Sequence, residues 1–183
     1  DPAMPRTMTI ALFLLLALAT PLSAQEETPE TLPMDVPVMV EEALAAGIDH
    51  EYTGPWEYFV GGGASAFDCN GDRLPDLAIA GGTSPAALYV NGSDIGGELR
   101  FEEKPDALPA AARDKVTGFY ALDIDNDGYR DLVTLRVGEN AILKGGPDCS
   151  FTEANRAFAF DGGRAWSTAF AAMFEPGNTY PTL

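Results

Sequence analysis

The sequence predicts an all-β fold made of β-propeller blades of four antiparallel strands each, in a propeller that is incomplete. Three observations predict it. Short apolar segments alternate with turns rich in Gly, Pro, Asn and Asp from residue 56 onward. One such pattern recurs after 55 residues, as seen from Asp68 to Asp123. Four short strands in a repeat of this length have the size of one blade, and the 183-residue chain holds two complete repeats and the start of a third.

The N-terminal segment predicts export. Residues 1–24 have the layout of a signal peptide, with Arg6, an apolar run at residues 10–19 and small residues before Gln25. The run is too short to cross a bilayer core, which takes about 20 apolar residues. We therefore expect no membrane span and a secreted or periplasmic location.

Residues 25–47 are predicted to form an N-terminal tether with a short helix. Segment 25–37 is rich in Glu, Pro and Thr, a composition that favours an exposed chain over a packed element. The pattern VEEALAA at residues 40–46 predicts the short helix, and Gly47 is expected to end it.

The strongly acidic composition limits the partners. The chain has 28 acidic and 11 basic side chains and a formal net charge of -17. Affinity for nucleic acid comes largely from Lys and Arg that neutralise phosphates. We therefore expect no nucleic-acid partner, whereas divalent cations suit this charge.

The repeat divides the chain into blades. The sequence FDCNGDRLPDLAIAGG, residues 67–82, aligns without a gap with LDIDNDGYRDLVTLRVG, residues 122–138. The predicted boundaries are blade 1 at residues 48–110, blade 2 at 111–161 and the truncated start of blade 3 at 162–183. In the third copy the four acidic positions are filled by Phe174, Pro176, Asn178 and Thr182. This third loop is not expected to bind calcium in the same way.

Each complete repeat contains an acidic loop, which we name loop 1 (residues 68–76) and loop 2 (residues 123–131). Both loops place carboxylates or amides at positions 1, 3, 5 and 9, a pattern that favours calcium with its six to eight oxygen ligands. An EF-hand is disfavoured, because position 12 is Ile79 or Thr134 instead of Glu and the flanking segments resemble strands. A solvated turn rich in Asp and Gly, without a metal, is the alternative.

The predicted calcium ligands are four side chains and the backbone carbonyl at position 7 of each loop. In loop 1 they are Asp68, Asn70, Asp72 and Asp76, with the Leu74 carbonyl. In loop 2 they are Asp123, Asp125, Asp127 and Asp131, with the Tyr129 carbonyl. Because Asn70 replaces a carboxylate with a neutral amide, we expect loop 1 to bind calcium more weakly.

The segments GGGASAFDCNGDRLPDLAIAGG and ALDIDNDGYRDLVTLRVG resemble FG-GAP, or VCBS, repeats, the calcium-loop blades of integrin alpha-subunit propellers. With GPWEYFVGGGASAFDCNGD and GGPDCSF, the chain more narrowly resembles the N-terminal part of bacterial proteins similar to cartilage acidic protein 1, whose members often end in an ASPIC/UnbV domain. This resemblance implies a seven-bladed propeller with structural calcium in the hairpin between a blade's first two strands. It also implies extracellular binding or adhesion, to a protein or glycan ligand, and no enzyme activity.

An enzyme is the rival interpretation. The chain could belong to the propeller scaffold of a secreted polysaccharide-acting lyase or hydrolase whose active site lies in other blades. Catalysis by this chain itself is not expected, because His50 is its only histidine and lies between two acidic residues. The aromatic residues Trp56, Tyr58, Phe59 and Trp166 are expected in the blade core instead of on a sugar-stacking surface.

Two further expectations concern packing. Cys69 and Cys149 are the only cysteines, and we predict that they form a disulfide because their loops open on the same side of the blades. The distance between a first and a fourth strand argues against the bond, so two unpaired cysteines remain the alternative. Two blades alone should also leave open apolar faces, at residues such as Phe119, Leu122, Leu132 and Val133.

Overall fold

The computed structural model describes residues 36–183. The predicted signal peptide and the first part of the tether, residues 1–35, lie outside these described residues. Nine strands form within the unit Val40–Leu183. They are β1 Ala64–Phe67, β2 Asp76–Ile79, β3 Ala87–Asn91, β4 Phe101–Glu103, β5 Val116–Leu122, β6 Asp131–Gly138, β7 Ala141–Gly146, β8 Ser150–Glu153 and β9 Ala165–Trp166. Single-turn 3-10 helices lie at Trp56–Tyr58, Ala110–Ala112 and Pro147–Cys149.

The strands form two antiparallel sheets. Sheet 1 has the order β1-β2-β3-β4, and sheet 2 has the order β5-β6-β7-β8 with β9 paired to the far end of β6. The prediction of an all-β fold with four-stranded antiparallel blades is therefore confirmed, and β9 adds a fifth strand to sheet 2. Within residues 36–183 we find no helix with the length and apolar character needed to cross a bilayer.

The short helix expected at residues 40–46 is reduced to a single turn. The Ala46 N–H donates to the Glu42 carbonyl at 2.8 Å, and the Ile48 N–H closes the turn on the Ala43 carbonyl at 2.8 Å. Gly47 lies between them with a φ of +90°, the left-handed conformation that ends helices in this capping arrangement. Gly47 stops the segment as expected, but it does so before a second turn can form.

The three sequence repeats share one backbone pairing at the acidic hairpin. The residue before position 1 of each loop pairs with the residue at position 9. The pairs are Phe67 with Asp76, Leu122 with Asp131, and Met173 with Thr182. The degenerate third copy therefore keeps the hairpin geometry although it has lost the aspartates.

The two sheets pack face to face through one apolar core. Its fully buried side chains include Leu88, Val116, Leu132 and Leu143. Phe67 of β1 and Phe151 of β8 meet edge to face, with ring centroids 6.2 Å apart. Full burial of one Leu or Val side chain stabilises a fold by about 1.5–3 kcal/mol. The apolar positions of each strand therefore determine which face it turns to the neighbouring sheet.

A disulfide between Cys69 and Cys149 crosses this interface. Cys69 lies in loop 1, Cys149 ends the 3-10 helix before β8, and their Cα atoms are 4.8 Å apart. The predicted disulfide is confirmed, and the alternative of two unpaired cysteines is wrong. First and fourth strands are far apart within one blade, but these cysteines belong to different blades that face each other.

The opposite face of sheet 2 is covered by the chain that follows β8. A second buried cluster contains Ile124, Val133, Leu135 and Ile142, and it packs against Phe158, Phe160 and Phe170. The prediction of open apolar faces at Phe119, Leu132 and Val133 is wrong, because all three are buried. Leu122 is half-buried. The aromatic residues after β8 cover Val133, whereas Phe119 and Leu132 are buried in the core between the two sheets.

The prediction that four aromatic residues lie in the core holds for one of them. Tyr58 is only 5% exposed, whereas Trp56 is 62%, Phe59 80% and Trp166 44% exposed. Trp56 and Trp166 contact each other edge to face at 5.2 Å between ring centroids. Trp166 lies in β9, which continues sheet 2 beyond the core, and this placement leaves its ring at the surface.

Candidate metal sites in the acidic loops

The two acidic loops occupy equivalent places in the two sheets. Loop 1 connects β1 to β2, and loop 2 connects β5 to β6. Each loop reverses direction over nine residues and uses left-handed backbone conformations to do so, as at Gly128 with a φ of +92°. The tight reversal turns the aspartate side chains back toward the loop's own backbone.

The aspartate at position 9 of each loop is completely buried, and each of its two oxygens accepts a backbone hydrogen bond. Asp76 and Asp131 each accept two backbone N–H groups, one from the loop and one from the third strand of the sheet. The donors are Cys69 (2.8 Å) and Asn91 (2.9 Å) for Asp76, and Ile124 (2.8 Å) and Gly145 (2.9 Å) for Asp131. Burial raises the pKa of both carboxyl groups, although these N–H donors oppose the shift. Each carboxylate ties a hairpin to the neighbouring strand.

In loop 1 the remaining polar side chains are engaged within the loop. Asp68 accepts the N–H groups of Gly71 (2.7 Å) and Arg73 (2.8 Å). Burial alone would raise the pKa of Asp68, but the backbone donors lower it below the usual value. Asp72 accepts the Asn70 side-chain amide at 2.9 Å. These bonds match the metal-free turn that the sequence left open as an alternative.

Three carboxylates converge in loop 2. Oxygen atoms of Asp123, Asp125 and Asp131 all lie within 4.8 Å of one another. Oxygens bound to one calcium ion at roughly 2.3–2.6 Å can be about this far apart. The Oδ1 atom of Asp125 is buried and has no hydrogen-bond partner among the described residues. A buried carboxylate oxygen without a partner is costly, so this donor set fits a hard divalent cation.

The other loop 2 ligands are placed beside this group. Asp127 accepts the Tyr129 N–H at 2.9 Å, and Asp123 accepts the N–H of Gly128 at 3.0 Å. The carbonyls of Leu74 and Tyr129, the predicted backbone ligands, accept no hydrogen bond from residues 36–183. Their role as calcium ligands stays a prediction.

A lysine that the loop pattern does not predict, Lys144 of β7, contacts the carboxylates of loop 2. The Lys144 ammonium forms ion pairs with Asp125 and with Asp127, the second at 2.5 Å. The two carboxylates raise the pKa of Lys144, and Lys144 in turn lowers the pKa of Asp127. The signal in the sequence was a single lysine in the otherwise apolar strand AILKGG.

Loop 1 differs from loop 2 in how it groups its acidic residues. Among the residues that the structure describes, the carboxylates of loop 1 do not form a comparable group of three. Asp76 instead borders the disulfide, with its Oδ2 atom 3.8 Å from the sulfur of Cys149. Bridged cysteines are not metal ligands, because only the thiolate binds metal.

Comparison with sequence families matches part of the chain. A sequence model described as an FG-GAP-like repeat matches residues 68–134, a segment that contains both acidic loops and the start of β6. No curated protein matches the chain significantly. No solved structure matches it significantly either. Residues 68–134 are thus similar to an FG-GAP-like repeat, and this similarity supports the repeat class predicted from the acidic loops.

Proposed function

We propose that the chain is an exported, calcium-binding β-propeller module that serves extracellular binding or adhesion, with calcium in a structural role. The observation that carries the proposal is the convergence of Asp123, Asp125 and Asp131 around the unpartnered Oδ1 of Asp125. The similarity of residues 68–134 to an FG-GAP-like repeat supports it.

The hydrogen bonds of loop 2 explain why a bound ion would be structural. Asp131 already joins loop 2 to β7 through the Gly145 N–H. A cation shared by Asp131, Asp123 and Asp125 would neutralise their mutual repulsion and join the β5–β6 hairpin to β7 more firmly. We therefore expect calcium to stabilise the fold and not to activate a substrate.

A binding role is proposed ahead of a catalytic one. His50 is the only histidine, and its Nε2 atom is hydrogen-bonded to the Ala80 carbonyl at 2.9 Å. Its ring also lies edge to face with that of Tyr89, at 6.2 Å between centroids. Both contacts give His50 a packing role between the N-terminal segment and sheet 1.

Export and an extracellular ligand complete the proposal. The signal-peptide pattern of residues 1–24 motivates a secreted or periplasmic location, and the disulfide suits an oxidising compartment. The narrower resemblance to bacterial proteins similar to cartilage acidic protein 1 suggests a protein or glycan ligand. Fractionation of expressing cells tests export, and a glycan array probed with and without calcium tests the ligand class.

Calcium binding is tested by calorimetry and thermal melting of the chain. A ligand that binds only the folded state stabilises it by about 2.7 kcal/mol at 100 times its Kd. We expect calcium to raise the Tm and Asp125→Asn to reduce the increase. Asp106→Asn is the matched control, since it removes the same charge from an exposed position outside both loops. Absence of both binding heat and a melting shift would reject the calcium proposal.

A further inference from the structure

We propose that Lys144 is a built-in competitor for the cation of loop 2 and weakens calcium binding there. This inference rests on the proposed calcium function and concerns the affinity of loop 2. The Lys144 ammonium contacts Asp125 and Asp127, two of the four carboxylates that calcium would use. Calcium can engage both of them only after the ammonium has left.

The strand register shows that the competitor is present in one repeat only. In sheet 2, Lys144 immediately precedes Gly145, whose N–H binds Asp131. In sheet 1, the residue whose N–H binds the equivalent Asp76 is Asn91, so Val90 takes the place of Lys144. Loop 1 therefore has an apolar side chain at the point where loop 2 has a cation.

The charges explain why Lys144 should lower the affinity of loop 2. Loop 2 has four carboxylates and loop 1 has three, so carboxylate number alone predicts tighter binding in loop 2. The positive charge of Lys144 offsets one of the four loop 2 carboxylates, so loop 2 loses its advantage over the three carboxylates of loop 1. Loop 2 must in addition break two charge-assisted contacts before the ion can bind.

The position of Lys144 allows this displacement. Its side chain is 35% exposed, and Lys144 lines a cavity of about 640 Å³ together with Ile124, Ile142 and Phe158. A long, flexible stem of this kind can keep its apolar contacts while the ammonium moves into water. Lys144 is therefore expected to weaken loop 2 and not to abolish binding.

Two reciprocal substitutions in the full chain test the inference. Lys144→Met keeps the apolar stem and removes the ammonium, and we expect about tenfold tighter binding in loop 2. Val90→Lys places an ammonium at the equivalent point of loop 1, and we expect weaker binding there by a similar factor. Lys115→Met is the control, because it removes the same charge just before β5, at the end of that strand opposite loop 2.

Terbium luminescence and calcium calorimetry report the two sites separately. Tb³⁺ emission excited through Tyr129 reports loop 2, because loop 1 has Leu74 at the same position. Calcium calorimetry with Asp125→Asn as background reports loop 1. Circular dichroism confirms that each variant is folded, and if Lys144→Met does not fold, Val90→Lys alone decides.

The outcomes distinguish the inference from the function on which it rests. Tighter binding in Lys144→Met, with Lys115→Met unchanged, supports the inference. Equal loop 2 affinity in the wild type and Lys144→Met overturns it and leaves the calcium function standing. If loop 2 binds no calcium even in Lys144→Met, the inference is overturned, and absence of calcium binding to both loops overturns the calcium function as well. If Val90→Lys leaves loop 1 unchanged, an ammonium at this register does not compete, and the inference is also overturned.

Discussion

Replacement of both bridged cysteines by alanine should remove most of the stabilisation that the disulfide gives to the folded state. Cys69 and Cys149 are 80 positions apart in the sequence. Closure of a loop of this length removes roughly 15 cal/mol/K of chain entropy from the unfolded state, or about 4.5 kcal/mol at 25 °C. Both cysteines are also buried between the sheets, where alanine would leave space. We therefore expect Cys69→Ala with Cys149→Ala to lower the free energy of unfolding by about 4 kcal/mol.

Urea unfolding followed by circular dichroism measures this loss. With an m-value of about 2 kcal/mol/M, the midpoint should fall by about 2 M. The wild type in excess reductant is the matched control and should unfold near the same urea concentration as the double variant. Should the double variant keep the wild-type midpoint, the bridge would add nothing to stability and the entropic reasoning would be refuted.

Two further predictions concern the contacts around the position 9 aspartates. Gly145→Ala should lower the free energy of unfolding by about 1–3 kcal/mol, because a Cβ there would lie 2.1 Å from the Arg130 backbone carbonyl oxygen. Gly63→Ala is its control, with its nearest atom at 3.7 Å, and equal urea midpoints for the two variants would contradict the steric argument. In calcium-free buffer, carboxyl ¹³C NMR should find that Asp76 and Asp131 titrate above the ordinary value of 3.8, because burial raises their pKa. The folded state then holds protons that the unfolded state has released, so their contribution to stability is full below pH 3.8 and is lost as the pH rises through the raised pKa values. A measured pKa at or below 3.8 for both carboxyl groups would contradict this prediction.

The features that the sequence predicts best are those that depend on local backbone pattern. Alternating apolar residues and turn residues determine the strands, and the ungapped repeat places loops 1 and 2 at equivalent hairpins. The pairing of Leu122 with Asp131 recurs between Met173 and Thr182, although no aspartate remains in the third loop. Hairpin pairing involves the backbone, so the repeat length preserves it when the side chains change.

The features that the sequence did not predict depend on contacts between distant segments. Lys144 enters loop 2 from β7, and its approach to Asp125 is determined by strand register and not by spacing along the chain. The exposure of Trp166 has a similar origin, because β9 pairs with the end of β6 outside the core. An aromatic residue is buried only if another segment covers it, and a composition argument cannot identify that segment.

The aspartates of loop 2 divide into two groups with different roles, and Asp76 of loop 1 belongs to the first group. Asp76 and Asp131 each accept one backbone N–H from their own loop and one from the third strand, so they stabilise the sheet whether or not an ion is bound. Asp125 keeps a buried oxygen without a partner and depends on a cation, which is Lys144 or a metal. Loss of position 9 should therefore destabilise the blade at any calcium concentration, whereas loss of position 3 should matter chiefly when calcium is present. A repeat built in this way can fold before it binds its ion, because the position 9 carboxylate joins the hairpin to the third strand through hydrogen bonds that do not require a metal.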